Sequence, residues 1–131
     1  IAHLLTSIPG ASEWFPGSIV AYSYESKENL LKVRRETLET EGAVSEACVR
    51  EMAIGALATM NADVAISVSG IAGPGGGTPE KPVGTVWIAV ADQDRVVTAR
   101  HVFGRDRLKN IQLTGVYALT LLRKFLVEKG A

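Results

Sequence analysis

The chain has 131 residues, with 14 Lys+Arg against 14 Asp+Glu and 47% apolar residues against 21% charged. That length suits one domain with a single core, and that apolar share excludes a disordered chain. A net charge of zero excludes a nucleic-acid or anionic-membrane binder that works by bulk charge.

In chain order, Ile1, Leu4, Leu5 and Ile8 keep helical spacing up to the stop at Pro9-Gly10. No capping residue precedes Ile1, so the sequence is expected to begin inside a helix, with natural residues missing upstream. The segment Gly17 to Tyr22, apolar and β-branched, predicts a buried strand. Leu30, Leu31 and Val33 predict a short helix over 25–33, with Lys27 in its first turn. Ser45 is the expected cap of a helix running from Glu46 to Ala62, whose stripe is Val49, Met52, Ala53, Ala56, Leu57 and Met60.

Val64 to Val68 predicts a second apolar strand that runs into a glycine-rich loop, with five of the chain's 13 glycines between Gly70 and Gly77. Gly84–Val90 and Val96–Phe103, separated by Asp92-Gln93-Asp94, predict an antiparallel hairpin. Asp106 is the expected cap of a last helix with the stripe Leu108, Ile111, Gly115, Ala118, Leu122 and Phe125. This order predicts an α/β fold with helices on both faces of a buried sheet. With no repeat or linker, residues 1–131 read as one domain.

If Gly17–Tyr22 and Val64–Ser69 run parallel, as a helical crossover favours, their carboxyl ends share one sheet edge. That edge carries Tyr22, Ser69 and the start of the glycine loop, with Lys27 nearby. The hairpin returns Arg105, Asp106 and Arg107 to the same edge, where open α/β sheets bind ligands. The loop GIAGPGGGTPEKPVG can bring backbone N–H groups close to an anion. It is neither a P-loop nor a dinucleotide fingerprint, because a strand rather than a helix follows it. Its ordinary alternative is a hairpin-like connection.

Serine and lysine can form a nucleophile–base pair without histidine, and Ser12 and Lys27 are the candidates. Their ordinary alternatives are a turn serine and a solvated lysine, and for Tyr22 a core residue with a wet hydroxyl. Cys48, His3 and His101 have no telling partners and read as structural; one cysteine and two histidines make neither a disulfide nor the usual zinc site. No apolar run reaches the roughly 20 residues that cross a bilayer, and no signal-peptide pattern is visible, so a cytoplasmic setting is expected.

Four ordered blocks carry a resemblance. They are IPGASEWFPGSIVAYSYESK (Ile8 to Lys27), GAVSE (Gly42 to Glu46), SGIAGPGGGTPEKPVGTVW (Ser69 to Trp87) and FGRDR (Phe103 to Arg107). Together they resemble the CinA C-terminal domain, the nicotinamide mononucleotide deamidase (PncC) family, over essentially the whole chain. The resemblance implies a three-layer α/β/α sandwich with a mixed sheet and one antiparallel strand. It implies hydrolysis of the amide of nicotinamide mononucleotide to nicotinate mononucleotide and ammonia, with no metal and no cofactor. By similarity Ser12 is the nucleophile and Lys27 its base, with Tyr22 in the same cluster. By the same similarity Ser69, Gly70, Gly73, Gly75 and Gly76 would form the substrate-binding loop, and Arg107 would bind the phosphate.

The expected partner is a small pyridine nucleotide, without nucleic acid or membrane. A homo-oligomer is expected, and CinA-like domains often follow a second, N-terminal domain. Two departures stand out. The family's Glu-Ser-Cys-Thr-Gly-Gly motif and the strand before it, inside the family sheet, are missing ahead of Ile1, and with them a family active-site serine. Gly104-Arg105 stands where the family usually has Pro-Gly. The alternatives are a non-catalytic nucleotide-binding or interaction module, and an amidase for another small anionic amide.

Overall fold

The structure, a computed structural model, describes residues 1–130. Each longer helix starts where a side chain can satisfy a free backbone donor. Ser23 Oγ accepts from Ser26 N at the head of Tyr24–Leu31, Ser45 Oγ from Cys48 N ahead of Glu46–Met60, and Asp106 from Lys109 N ahead of Arg107–Lys129. With Ala2–Thr6 and Arg35–Thr40 these are α1 (2–6), α2 (24–31), α3 (35–40), α4 (46–60) and α5 (107–129). Gly10, at φ 83°, turns the chain out of α1 into a 3₁₀ turn over Ala11–Glu13.

Three strands, β1 (Ala65–Gly70), β2 (Thr85–Ala91) and β3 (Val96–Val102), lie in the order β1-β2-β3. Both neighbouring pairs are antiparallel, with Ser67 opposite Ala89 and Ala91 opposite Val96. The alternation of side chains sends Trp87, Ala89 and Ala91 to one face, where they join Leu31, Val49, Met52 and Ala53 of α2 and α4. Val86 and Ile88 face the other way, onto Ala118 and Leu121 of α5. Helices therefore cover both faces, and the α/β expectation and its three layers hold.

The expected strand at Gly17–Tyr22 does not form. Its side chains keep a strand's alternation: Val20 and Tyr22 are exposed, while Ala21 is buried and Ile19 packs against it. Yet residues 16–22 make no backbone–backbone hydrogen bond among the described residues. Pattern and propensity give a strand its faces, but only a ladder partner makes it a strand. Among the described residues the sheet accordingly has no parallel pair, and the mixed sheet is corrected to an antiparallel one in which β2 opposes β1 and β3.

The stripe on α5 also divides. Gly115, Ala118 and Phe125 are buried, whereas Leu108 is 72% exposed and Ile111 52%. The first turns of α5 meet loops rather than the sheet, and this is what brings the helix to the site.

Candidate active site

Three segments meet at the end of β1 and the start of α5. The connection from β1 to β2 closes on itself where Gly84 N donates to Ile71 O at 2.8 Å and Thr78 N to Lys81 O at 2.9 Å. Between those closures, no N–H of residues 72–77 makes a hydrogen bond within the described chain. The loop is thus hairpin-like in connection and rich in free amide donors. Gly73, at φ 91°, sits so close to Val83 and to the Arg105 carbonyl that a Cβ there would collide with the Val83 side chain.

Arg107 crosses to this loop. Its Nη1 donates to Gly73 O at 2.8 Å and its Nη2 to the Tyr22 hydroxyl at 3.3 Å. Lys27 is only 6% exposed, and its Nζ donates to Ala21 O at 2.8 Å and Tyr22 O at 3.4 Å. It forms no ion pair among the described residues. A continuous path of contacts therefore runs from Lys27 through Tyr22 and Arg107 to Gly73. Topology had nominated Tyr22, Lys27, Arg107 and the glycine loop, and the resemblance named Gly73 within that loop. The structure brings the four together, although the parallel strand pair behind the topological reasoning is absent among the described residues.

The remaining candidates lie around this path. Ser12 is exposed in the 3₁₀ turn, and its hydroxyl makes no hydrogen bond among the described residues, to Lys27 or otherwise. Ser69 lies in β1 opposite Trp87, and Gly70 ends that strand against Thr85 and Val86. Gly75 and Gly76 are at the exposed tip of the loop. Among the described residues, no three His, Cys, Asp or Glu side chains gather closely enough to hold a metal ion.

Cys48 is fully buried, and burial pushes its thiol up to about 11 against the opposing pull of the Lys27 ammonium. It stays a thiol at neutral pH and is no nucleophile. His101 stacks on Phe103 and meets Tyr117 edge-on, which fits the structural role expected of it. A shallow groove of about 600 Å³ elsewhere, beside Trp87, carries Glu41, Glu46 and Glu80 against Arg50, Lys81 and Arg100, a balance that selects no charge.

One residue escaped the sequence reading. Asn110 is 2% exposed, and its Nδ2 donates to Ala72 O at 2.9 Å and Gly104 O at 3.0 Å. Gly104 N returns a bond to Asn110 Oδ1 at 3.2 Å. Its spacing of three from Arg107 puts both on one face of the helix, the only signal the sequence offered.

The model of the CinA C-terminal domain matches residues 1–126. The chain belongs to this family. Among relatives of this CinA C-terminal domain, the nicotinamide-nucleotide amidohydrolase PncC of Enterobacter agglomerans is 52% identical over 96% of the chain and 78% of that relative. A CinA-like protein of Cytophaga hutchinsonii is 48% identical over 98% of the chain. The chain spans only 31% of that relative's length. A crystal structure of a competence-damaged protein (CinA) superfamily protein from Klebsiella pneumoniae superposes with a TM-score of 0.92 at 38% identity, over 97% of this chain and 79% of that one. The fold is therefore shared over nearly all of this chain, though not over the whole of that protein. No helix among this chain's described residues is long and apolar enough to cross a membrane.

Proposed function

We propose that the chain hydrolyses the carboxamide of nicotinamide mononucleotide to nicotinate mononucleotide and ammonia. The observation that carries this reading is the Arg107 guanidinium spanning Gly73 O and the Tyr22 hydroxyl at the mouth of a loop with free N–H groups. The 52% identity to a relative named for that reaction supports it.

An anionic mononucleotide needs a phosphate clamp, an oxyanion donor and an activated hydroxyl. Arg107 retains donors for a phosphate, since two of its five N–H groups are engaged among the described residues. The amides of the glycine loop supply donors to an anion or a developing oxyanion. In the chemical step a hydroxyl, assigned to Ser12, adds to the carboxamide carbon as Lys27, in its neutral form, takes the hydroxyl proton. The C–N bond then breaks, the proton passes to nitrogen, and ammonia leaves. Water adds to the resulting ester, and its cleavage restores the serine and frees the carboxylate. Ser12 and Lys27 are not hydrogen-bonded here, and such contacts often tighten only with substrate bound.

Ammonia release from nicotinamide mononucleotide, measured beside the Lys27→Ala variant, tests the reading. Release that disappears in the variant is expected, and undiminished release would remove the lysine-base role. The separation of Ser12 from Lys27 favours a second reading, a nucleotide-binding module without catalysis. Saturable calorimetric binding of the mononucleotide with no ammonia release would establish that alternative.

A further inference from the structure

We propose that Asn110 is a positioning residue of the anion site, one that aims the Gly73 amide and fixes the loop on which Arg107 closes. The inference rests on the proposed function for its ligand, and on geometry for its mechanism. The primary amide of Asn110 is used in full by backbone: both Nδ2 hydrogens go to carbonyls, Ala72 O and Gly104 O, and Oδ1 takes the Gly104 N–H. The donor–acceptor pattern admits one orientation, because a flipped amide would set its oxygen against two carbonyls.

Asn110 therefore joins the glycine loop, 38 residues away in sequence, to the turn at Gly104 and the first turn of α5. The close approach has an independent mark. Gly84 leaves no room for a Cβ beneath the backbone of Phe103 and Gly104, and Phe103 N donates to Gly84 O at 2.8 Å. The two loops are stacked backbone to backbone, and Asn110 is the side chain that seals them.

The consequence for a ligand follows from the planar trans peptide. The C=O of Ala72 and the N–H of Gly73 belong to one plane and point in opposite directions. Holding the Ala72 carbonyl on Asn110 turns the Gly73 N–H away from α5, where it has no partner among the described residues. One residue further on, Arg107 grips the Gly73 carbonyl. Two side chains of one helical turn thus hold successive carbonyls of the loop, and the Gly73 N–H between those carbonyls is left without a partner among the described residues. Asn110 acts through that N–H and through the Arg107 guanidinium.

The test is a double-mutant cycle on the affinity for nicotinamide mononucleotide, using Asn110→Asp, Arg107→Ala and the double variant. The aspartate is nearly isosteric, but it sets a carboxylate against two carbonyls. Asn110→Asp is expected to weaken binding about tenfold, with KM rising more than kcat falls, and to cost far less when Arg107 is already alanine. An equal loss in both backgrounds would show a general structural role and overturn the proposal, as would unchanged affinity.

Hydrogen exchange supplies the second arm. Faster exchange confined to residues 71–78, with α4 still protected, is expected, and unchanged exchange there would overturn the proposal. Should the wild-type chain not bind the mononucleotide, the proposed function falls, and exchange in the loop alone decides the role of Asn110.

Discussion

At the residue scale, the site uses two cations in opposite ways. Arg107 holds Gly73 O and the Tyr22 hydroxyl with two nitrogens of a rigid planar group. A lysine ammonium is a point charge on a flexible stem and cannot reproduce that spacing. Arg107→Lys is expected to raise KM for the mononucleotide about tenfold while kcat changes less, and a KM within about twofold of wild type would remove the clamp role. Lys27, by contrast, is buried and spends its donors on the carbonyls of Ala21 and Tyr22. Lys27→Met keeps the stem but leaves those carbonyls without the ammonium. A loss of about 1–3 kcal/mol in urea unfolding is expected beside the loss of turnover. The sequence exposed Tyr22, Lys27 and Arg107 because each lies at or just beyond the boundary of a recognisable segment. It exposed Gly73 because that residue sits in a glycine-rich loop that resembles a family signature. Asn110 stayed hidden because an asparagine in a first helical turn is ordinary, and its partners are backbone atoms, one in the adjoining turn and one in a loop 38 residues away.

At the element scale, helix heads and the local hairpin were legible, and the pairing of Gly17–Tyr22 was not. Ser45 and Asp106 act as the caps expected of them, since capping depends on residues a few positions away. The hairpin of β2 and β3 was equally local, with Asp92 Oδ1 accepting from the N–H groups of Asp94 and Arg95 in its turn. Gly17–Tyr22 has the composition and alternation of a strand, but a ladder needs a neighbour that no local pattern supplies. Helix crossings were hidden for the same reason. A Cβ on Gly55 of α4 would fall on the carbonyl of Leu31 at the end of α2, where backbone meets backbone. Gly55 is what lets α2, and with it Lys27, lie this close to α4. Gly55→Ala gains helix propensity yet must push the two helices apart, and a net loss of about 1–3 kcal/mol is expected in equilibrium urea unfolding. A midpoint at or above wild type would show that α2 yields without strain.

At the scale of the whole molecule, α5 connects the site to the opposite end of the sheet. Its 23 residues span about 35 Å. Arg107 and Asn110 occupy its first turn, while Lys129 in its last turn donates to Asp92 Oδ2 at 2.7 Å. Arg95 reinforces that far end, donating to Phe125 O at 3.1 Å and lying 4.2 Å over the Phe125 ring. The Lys129 ammonium, and then the N–H groups of Arg95 and Asp94, hold the Asp92 carboxyl down at about 2 from an ordinary 3.8. A depressed carboxyl contributes stability above its unfolded value and loses it as pH falls through its folded value. The anchor is therefore complete at neutral pH and is lost between the ordinary 3.8 and about 2. Asp92→Asn should lower the melting temperature at pH 7 and flatten its acid dependence, so that the two melting curves converge as both proteins approach that lower limit. Parallel curves across the same range would remove Asp92 from acid stability. Because the anchor and the proposed anion site lie at opposite ends of a rigid helix and share no partner, the two should behave independently. The same variant is accordingly expected to keep wild-type affinity for the mononucleotide at pH 7, well below its melting temperature, and a loss there would mean that α5 transmits a shift along its whole length.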